Sequence, residues 1–226
     1  MTDTGPTIKA MVFDAYGTLF DVHSVIALCN ELFPEQGPAL SHMWRAKQLE
    51  YTWLLSLMGR YEDFWHITEK ALRFACRALK LPYDEAQQAQ LLEAYLHLEP
   101  YPEVQQALTG LTGYPLAILS NGSPAMLEPL VSNAGLQGTF AHVISVDELK
   151  IYKPSPQVYR LAVDKLGLEA QAIGFVSSNS FDIIGATAFG FRTFWVNRAA
   201  SPLDELGVVP TTTIGKLTDL VEVLNR

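Results

Sequence analysis

Basic residues are scarce in this chain of 226 residues, which has 16 lysines and arginines against 24 aspartates and glutamates and a formal net charge of −8. A nucleic-acid duplex repels such a surface unless a basic stripe is present, and the sequence contains no such stripe. Nucleic acid is therefore not expected as a partner. A small anionic substrate remains compatible with this charge if its pocket is locally positive.

Cysteines and long apolar runs are also rare. The two cysteines, Cys29 and Cys76, lie far apart in the sequence, a usage typical of free thiols in a reducing compartment. The first residues, MTDTGPTIKA, lack a basic segment followed by an apolar run, so no secretory signal is expected. No apolar stretch reaches the length of a membrane span. We therefore expect a cytoplasmic protein that does not contact a membrane.

The sequence does contain a series of short apolar runs separated by helical patterns. Apolar residues make up 49% of the chain, which is enough for a sizeable core. The apolar runs predict strands at residues 8–13, 115–119, 142–145, 173–176 and 193–196. Helical spacing between them, as at 125–133 and 157–166, predicts an α/β fold with a Rossmann-like parallel sheet covered on both faces.

Residues 21–100 have a different pattern, with apolar residues at helical spacing and no clear strand. We interpret this segment as an inserted helical domain of about four helices, called the cap below. The core then comprises residues 1–20 and 101–226. In open α/β sheets, ligands bind beyond the carboxyl ends of the strands, where the strand order reverses. We therefore expect the catalytic and substrate-binding residues at that edge of the sheet.

Polar residues follow four of the predicted strands: Asp14 after the first, Ser120 and Asn121 after the second, Lys153 beyond the third, and the segment 177–182 after the fourth. Each alone fits an ordinary turn, a helix cap or a solvated lysine. A Ser-Asn-Gly turn that enters a helix also supplies N–H groups suited to a carboxylate. All four in this order predict a single functional cleft.

This order of motifs, with a helical insert after the first strand, resembles the haloacid dehalogenase superfamily over nearly the whole chain. Its magnesium phosphatases carry an Asp-x-Asp first motif and typically a Gly-Asp-Ser-x-x-Asp last motif. Here Tyr16 and Ser178 occupy two of those aspartate positions. Magnesium prefers carboxylate ligands, and a departing halide needs no proton. The two departures favour a metal-independent dehalogenase without a cofactor.

Several segments are similar to the L-2-haloacid dehalogenase branch in particular: FDAYGTLFDVHSV, MWRAKQLEYTWLLSLM, ILSNGSP, YKPSPQVY and FVSSN. The resemblance implies hydrolysis of small (S)-2-haloacids to (R)-2-hydroxy acids through an ester on an aspartate. The expected partners are a 2-halocarboxylate, the released halide ion and a second copy of the chain in a homodimer.

The resemblance also implies roles for individual residues. Asp14 matches the nucleophile, Lys153 the cation that offsets its charge, and Arg45 the cap arginine that receives the halide. Asp182 is the candidate base for ester hydrolysis, although it can instead serve to position Lys153. The residues implied to orient these groups or water are Thr18, Tyr159, Ser177 and Asn179. The residues implied to contact the substrate are Tyr16 through its N–H, Leu49, Phe64, Ser120, Asn121 and Phe181.

Three alternatives remain open. A magnesium phosphatase of the same fold and a non-catalytic protein on the same scaffold are the broader ones, and specialisation on haloacetate or fluoroacetate is the narrower one. Ala46 and Phe181 depart from the branch pattern, in which Gln and Trp are common. Both positions are expected to border the substrate pocket. Without the resemblance, Arg45 would be interpreted as an exposed helical arginine, and Leu49 and Phe64 as core.

Overall fold

A computed structural model describes residues 7–225 of the chain. Within that range six parallel strands form one sheet in the order β3-β2-β1-β4-β5-β6. The strands are β1 (Ala10–Phe13), β2 (Leu116–Ser120), β3 (His142–Ser145), β4 (Ile173–Ser177), β5 (Arg192–Val196) and β6 (Thr212–Ile214). The predicted parallel α/β sheet is confirmed. β6 was not predicted, because it has three residues and only Ile214 among them is buried.

Helices connect the strands and also form a long excursion after β1. They are α1 (Ile26–Leu32), α2 (Gly37–Leu57), α3 (Phe64–Ala78), α4 (Glu85–Ala94), α5 (Val104–Gly110), α6 (Pro124–Asn133), α7 (Pro156–Leu166), α8 (Ser180–Phe189) and α9 (Asp219–Leu224). None of the helices in residues 7–225 is both long enough and apolar enough to cross a membrane.

The strand order reverses beside β1, which pairs with β2 on one side and with β4 on the other. The chain runs outward from β1 to β3, returns to β4 and then runs outward to β6. Right-handed crossovers in these two directions place helices on opposite faces of the sheet. The reversal leaves a crevice at the carboxyl ends of β1 and β4, where Asp14 and Ser177 lie.

The cap contains α1 to α4 and no strand within the described residues. The segments that lead into and out of it are paired: Asp21 N–H donates to Glu99 O (2.8 Å) and Tyr101 N–H donates to Leu19 O (3.0 Å). This pairing fixes where the cap joins the sheet. The division of the chain into two domains at residues 20/21 and 100/101 stays a prediction.

Helix α3 begins at a site residue because of a local capping signal. Asp63 has extended backbone, and its side chain accepts a hydrogen bond from His66 N–H (3.0 Å). An aspartate at this position satisfies one of the N–H groups that a helix start leaves unpaired. The N-cap Asp63 therefore fixes Phe64 as the first residue of α3, and Phe64 is buried.

Candidate active site

Asp14 follows β1 and is held on all sides. Its N–H donates to Val176 O in β4 (2.9 Å), and its side chain is 8% exposed. Oδ2 accepts hydrogen bonds from Thr18 Oγ1 (2.9 Å), Asn179 Nδ2 (2.7 Å) and Ser177 Oγ (3.3 Å). Oδ1 accepts from the Lys153 ammonium (3.1 Å). One carboxylate oxygen is therefore surrounded by donors, whereas the other faces a single cation.

Lys153 is almost completely buried, at 1% exposure. Its ammonium donates to Asp14 Oδ1, to Asp182 Oδ2 (2.8 Å) and to Leu119 O (2.7 Å). The backbone is fixed as well, since Lys153 N–H donates to Asn121 Oδ1 (3.1 Å). Burial by itself lowers the pKa of Lys153, but the two carboxylates outweigh burial and raise it. The lysine is therefore charged at neutral pH.

Asp182 lies in the first turn of α8 and is fully buried. Its second oxygen, Oδ1, accepts from the Tyr159 hydroxyl (2.9 Å). Burial raises the pKa of Asp182 to about 6; Lys153 opposes this change and the negative charge of Asp14 adds to it. One buried cation thus serves two buried carboxylates, and burial, with a smaller contribution from Asp14, brings the pKa of Asp182 close to neutral pH.

Two glycines allow the turns at this edge to pack closely. Gly17 has a φ of +87°, which side chains rarely adopt, and it turns the chain directly after Asp14. At Gly122, an added Cβ would lie 2.8 Å from Cε2 of Tyr16. Any larger residue would push the turn after β2 away from the turn after β1.

Arg45 extends from α2 of the cap to the sheet edge. Its Nη2 donates to Tyr16 O (3.2 Å) and lies 3.5 Å from Asn179 Oδ1. Its Nη1 donates to Gln48 Oε1 (2.7 Å), and Gln48 Nε2 donates to Thr68 Oγ1 on α3 (2.6 Å). Gln48 and Thr68 are fully buried. Two cap helices therefore orient the guanidinium through a chain of hydrogen bonds.

A cavity of about 10 Å³ separates Arg45 from Asp14, which is space for about one water molecule. All nine residues that line it were predicted as site residues: Asp14, Tyr16, Arg45, Leu49, Phe64, Asn121, Lys153, Asn179 and Phe181. The other predicted residues, Thr18, Ser120, Tyr159, Ser177 and Asp182, lie outside this lining. The expectation that Ala46 borders the pocket is wrong, because Ala46 is exposed and is absent from the lining. Of these, Thr18 and Ser177 bind Asp14, Asp182 binds Lys153, and Tyr159 binds Asp182.

Ser120 and Tyr16 have polar groups left to donate. The Ser120 hydroxyl accepts from Gly122 N–H (3.1 Å), which leaves its hydrogen free for an acceptor. The Tyr16 hydroxyl is buried without a hydrogen-bond partner among the described residues. Burial raises the pKa of Tyr16, so this hydroxyl remains protonated. Both are neutral donors beside the turn that follows β2.

Arg198 is a part of the site that the sequence reasoning missed. Its Nη1 donates to Ser178 Oγ (2.8 Å) and its Nη2 to Thr18 O (3.0 Å). Its Nε donates to Glu103 (2.8 Å), and its guanidinium lies 3.8 Å from the ring centroid of Tyr101. Arg198 lies just after β5, and this position at the carboxyl end of a predicted strand could have marked it as a site residue. Gln48 was also missed, although its position three residues after Arg45 places the two side chains on the same helix face.

The residues at this edge do not fit a magnesium ion. Within residues 7–225, no group of three or more His, Cys, Asp or Glu side chains is placed to hold a metal. Ser178, where the metal-dependent phosphatases carry a ligand aspartate, binds the guanidinium of Arg198 instead. A fixed positive group at that position repels a divalent cation.

Comparison with known proteins identifies the family. A model of the haloacid dehalogenase-like hydrolases matches residues 8–190. The chain belongs to this family. An (S)-2-haloacid dehalogenase of Pseudomonas sp. (strain YL) is 50% identical over 218 residues, which cover 96% of this chain and 94% of that protein. The predicted membership of the superfamily is therefore confirmed.

Two solved structures extend the comparison to the fold. The L-2-haloacid dehalogenase RSc1362 has a TM-score of 0.95 and 46% identity, over 97% of this chain and 100% of that one. An L-2-haloacid dehalogenase from Xanthobacter autotrophicus, with chloropropionic acid covalently bound, has a TM-score of 0.91 and 41% identity, over 97% and 99% of the two chains.

Proposed function

We propose that this protein hydrolyses small (S)-2-haloacids to (R)-2-hydroxy acids through an ester on Asp14. The observation that carries the proposal is the arrangement around the small cavity, where a fixed carboxylate paired with a buried lysine faces an arginine. The covalently bound chloropropionic acid in the Xanthobacter relative supports a covalent route.

In the first step, Oδ1 of Asp14 attacks C2 and the carbon–halogen bond breaks. Oδ1 is the freer oxygen, because among the described residues it accepts from Lys153 alone, whereas three donors surround Oδ2. The halide leaves toward Arg45, with the side chains of Leu49 and Phe64 as its apolar surroundings. A guanidinium is more weakly hydrated than an ammonium, so it suits an anion held in an apolar setting.

Charge repulsion is the main obstacle to this step. The substrate carboxylate and Asp14 repel each other by about 4 kcal/mol at 4 Å and an effective dielectric constant of 20. Lys153 and Arg45 offset this repulsion from two sides of the cavity. Ser120 and the N–H of Tyr16 would bind the substrate carboxylate. With the carboxylate and the nucleophile both fixed, one approach to C2 remains, so one enantiomer reacts.

In the second step, water attacks Cγ of Asp14 and the bond from Cγ to the ester oxygen Oδ1 breaks, so Oδ1 leaves with the product. The negative charge that develops on Oδ2 meets donors already in place on Thr18, Ser177 and Asn179, which act as an oxyanion hole. Asp182 would take the proton that the attacking water loses, since a base with a pKa of about 6 works near neutral pH, and would return it to the departing alkoxide. The second proton of the water would leave to solvent as Asp14 becomes a carboxylate again.

A single turnover in heavy-oxygen water, with enzyme in excess, tests the covalent route. The new hydroxyl oxygen should come from Asp14, so (S)-2-chloropropionate should yield mostly unlabelled (R)-lactate. Repeated turnovers should place the label in the peptide that contains Asp14. The (R) enantiomer serves as the control and should release no chloride. Labelled lactate in the first turnover, with an unlabelled Asp14 peptide, would mean that water displaces the halide directly.

We also infer a homodimer that forms through the cap. Leu54, Leu57 and Met58 on or just after α2 and Phe74 on α3 are exposed apolar side chains, with Leu57 at 86% exposure. Exposed apolar surface of this kind marks protein interfaces. Light scattering should give the mass of two chains, and Leu57→Glu should shift it to one. A single-chain mass for the unaltered protein would contradict the dimer.

We also infer that the protein is located in the cytoplasm. Cys29 and Cys76 are both buried as free thiols, which fits a reducing environment. Fractionation of cells that express the native protein should recover it with cytoplasmic marker enzymes. Recovery with periplasmic or extracellular markers would contradict this location.

A further inference from the structure

The cavity beside Asp14 is too small for the substrate proposed above. Its volume of about 10 Å³ accommodates roughly one water molecule. A haloacetate carries a carboxylate, a carbon and a halogen, and so needs several times that space. Some part of the lining must therefore move before a haloacid can reach the nucleophile.

A second, larger cleft lies directly behind part of this lining. It has a volume of about 450 Å³, and three residues line both spaces: Leu49, Asn179 and Phe181. Asn179 is tied in place by hydrogen bonds from its side chain to Asp14 Oδ2 (2.7 Å) and Tyr16 O (3.0 Å). Leu49 and Phe181 are apolar side chains that are only partly buried. They are the part of the partition that packing alone holds in place.

Trp53 supports the partition from the cap. It lies one helical turn after Leu49 on α2 and lines the larger cleft. Its ring meets Phe181 edge to face, with centroids 5.2 Å apart and an interplanar angle of 75°. The indole Nε1 is buried without a hydrogen-bond partner among residues 7–225. Packing alone therefore holds this ring, and no hydrogen bond has to break for it to turn.

Charged residues also line the larger cleft. Arg198 is one of them, with its guanidinium 3.8 Å from the ring centroid of Tyr101, and its Nε donates to Glu103 (2.8 Å). Asp204 lies in the same lining and accepts from the Ser180 hydroxyl (2.5 Å). Because Arg198 is already paired, it is the partition shared with the smaller cavity that distinguishes this cleft.

We propose that this larger cleft is the entrance for the 2-halocarboxylate, and that Leu49, Trp53 and Phe181 form a gate that sets the substrate's chain length. The proposal rests on the proposed function and adds a route and a selectivity to it. A substrate that reaches Asp14 through the gate displaces the Phe181 ring, so the side chain on C2 must fit in the space that this ring leaves.

The test compares Phe181→Ala and Phe181→Leu with the unaltered protein on chloroacetate and on 2-chlorobutyrate. The ratio of kcat/KM for the longer acid to that for chloroacetate should rise at least about tenfold in Phe181→Ala and less in Phe181→Leu, because added pocket volume favours added methylenes. Trp53→Ala should raise the ratio as well. Trp65→Ala is the matched control, since Trp65 lines a different cleft, and it should leave the ratio unchanged.

A second measurement needs no turnover. The unreactive anion propionate should associate several-fold faster with Phe181→Ala than with the unaltered protein in stopped-flow tryptophan fluorescence. Equal chain-length ratios and equal association rates in Phe181→Ala, with chloroacetate activity retained in the unaltered protein, would overturn the gate alone. An unaltered protein that releases no halide from chloroacetate would instead overturn the proposed function.

Discussion

On the sheet side of the active site, Asp14 has both oxygens engaged, and Lys153 is buried against three acceptors. On the cap side, the hydrogen bonds of Arg45 to the sheet side within residues 7–225 are those to Tyr16 O (3.2 Å) and to Asn179 Oδ1 (3.5 Å). The sheet side is thus a connected network of charges and donors. The cap side joins it through one guanidinium and a set of apolar contacts.

In the proposed mechanism this contrast separates two tasks. Bond formation needs a nucleophile and donors held in one geometry before the substrate arrives, and we assign this task to the sheet edge. Admission and selection of the substrate need surfaces that can move apart, and we assign this task to the apolar contacts of Leu49 and Phe181. Changes on the sheet side should therefore alter the rate of the chemical steps, whereas changes on the cap side should alter selectivity as well.

The largest effect is expected from Asp14→Asn, which keeps the shape of the nucleophile and removes its charge. Halide release should fall by about 10⁴-fold or more, as when other nucleophiles are removed. Chloride release from (S)-2-chloropropionate measures this effect. Asp164→Asn, on exposed surface of α7, is the matched control and should have the normal rate. Comparable rates in the two variants would remove Asp14 from the mechanism.

A smaller but still large effect is expected from Arg45→Lys. The ammonium keeps the charge but cannot bind Gln48 and Tyr16 O at the same time in the geometry of the guanidinium. The turnover number at saturating substrate should fall about 10²-fold, with chloride release as the measurement. Arg77→Lys at the exposed end of α3 is the control. An unchanged turnover number would move the cap out of the chemical step.

The strands and the polar residues at their ends could be predicted from the sequence because buried parallel strands are continuous apolar runs. Asp14 and Lys153 were located in this way. β6 was missed because Thr212–Ile214 lacks such a run, and Arg198 was missed because its role depends on meeting Thr18 and Ser178 across the sheet edge.

The cap residues illustrate what periodicity alone does not predict. Helical spacing indicates that one face of α2 is buried, but not that this face points to β1. Arg45 and Leu49 were therefore assigned through resemblance alone. Glutamine is typical of exposed helix positions, yet Gln48 is fully buried. Its side-chain amide can be buried because it accepts a hydrogen bond from Arg45 and donates one to Thr68. Such a pairing is visible only once α2 and α3 are packed together.

A moderate effect is expected from pH. Burial raises the pKa of Asp182 to about 6, well above that of a free aspartate, so Asp182 loses its basic form at a higher pH than usual. Turnover should fall about tenfold for each pH unit below about 6. Tyr159→Phe removes a hydrogen bond that lowers this pKa, so the acid limb should move to higher pH. A limb near pH 4 in both proteins would exclude Asp182 as the base.

The smallest effect, none within error, is expected from removing metal ions. A magnesium enzyme of this superfamily uses aspartates at the positions of Tyr16 and Ser178. Here the Tyr16 side chain is buried among aromatic rings, 5.4 Å from the Phe64 centroid, and Ser178 Oγ accepts from Arg198 (2.8 Å). In the proposed mechanism Lys153, whose ammonium lies 3.1 Å from Asp14, supplies the positive charge that a metal would supply. Chloride release should therefore be equal with excess chelator and with added magnesium.

Ser178→Asp sharpens the test, because the new carboxylate should pair with Arg198 and still give a chelator-resistant rate. Loss of activity in chelator, restored by magnesium, would show that the sheet side of the site is incomplete without a metal.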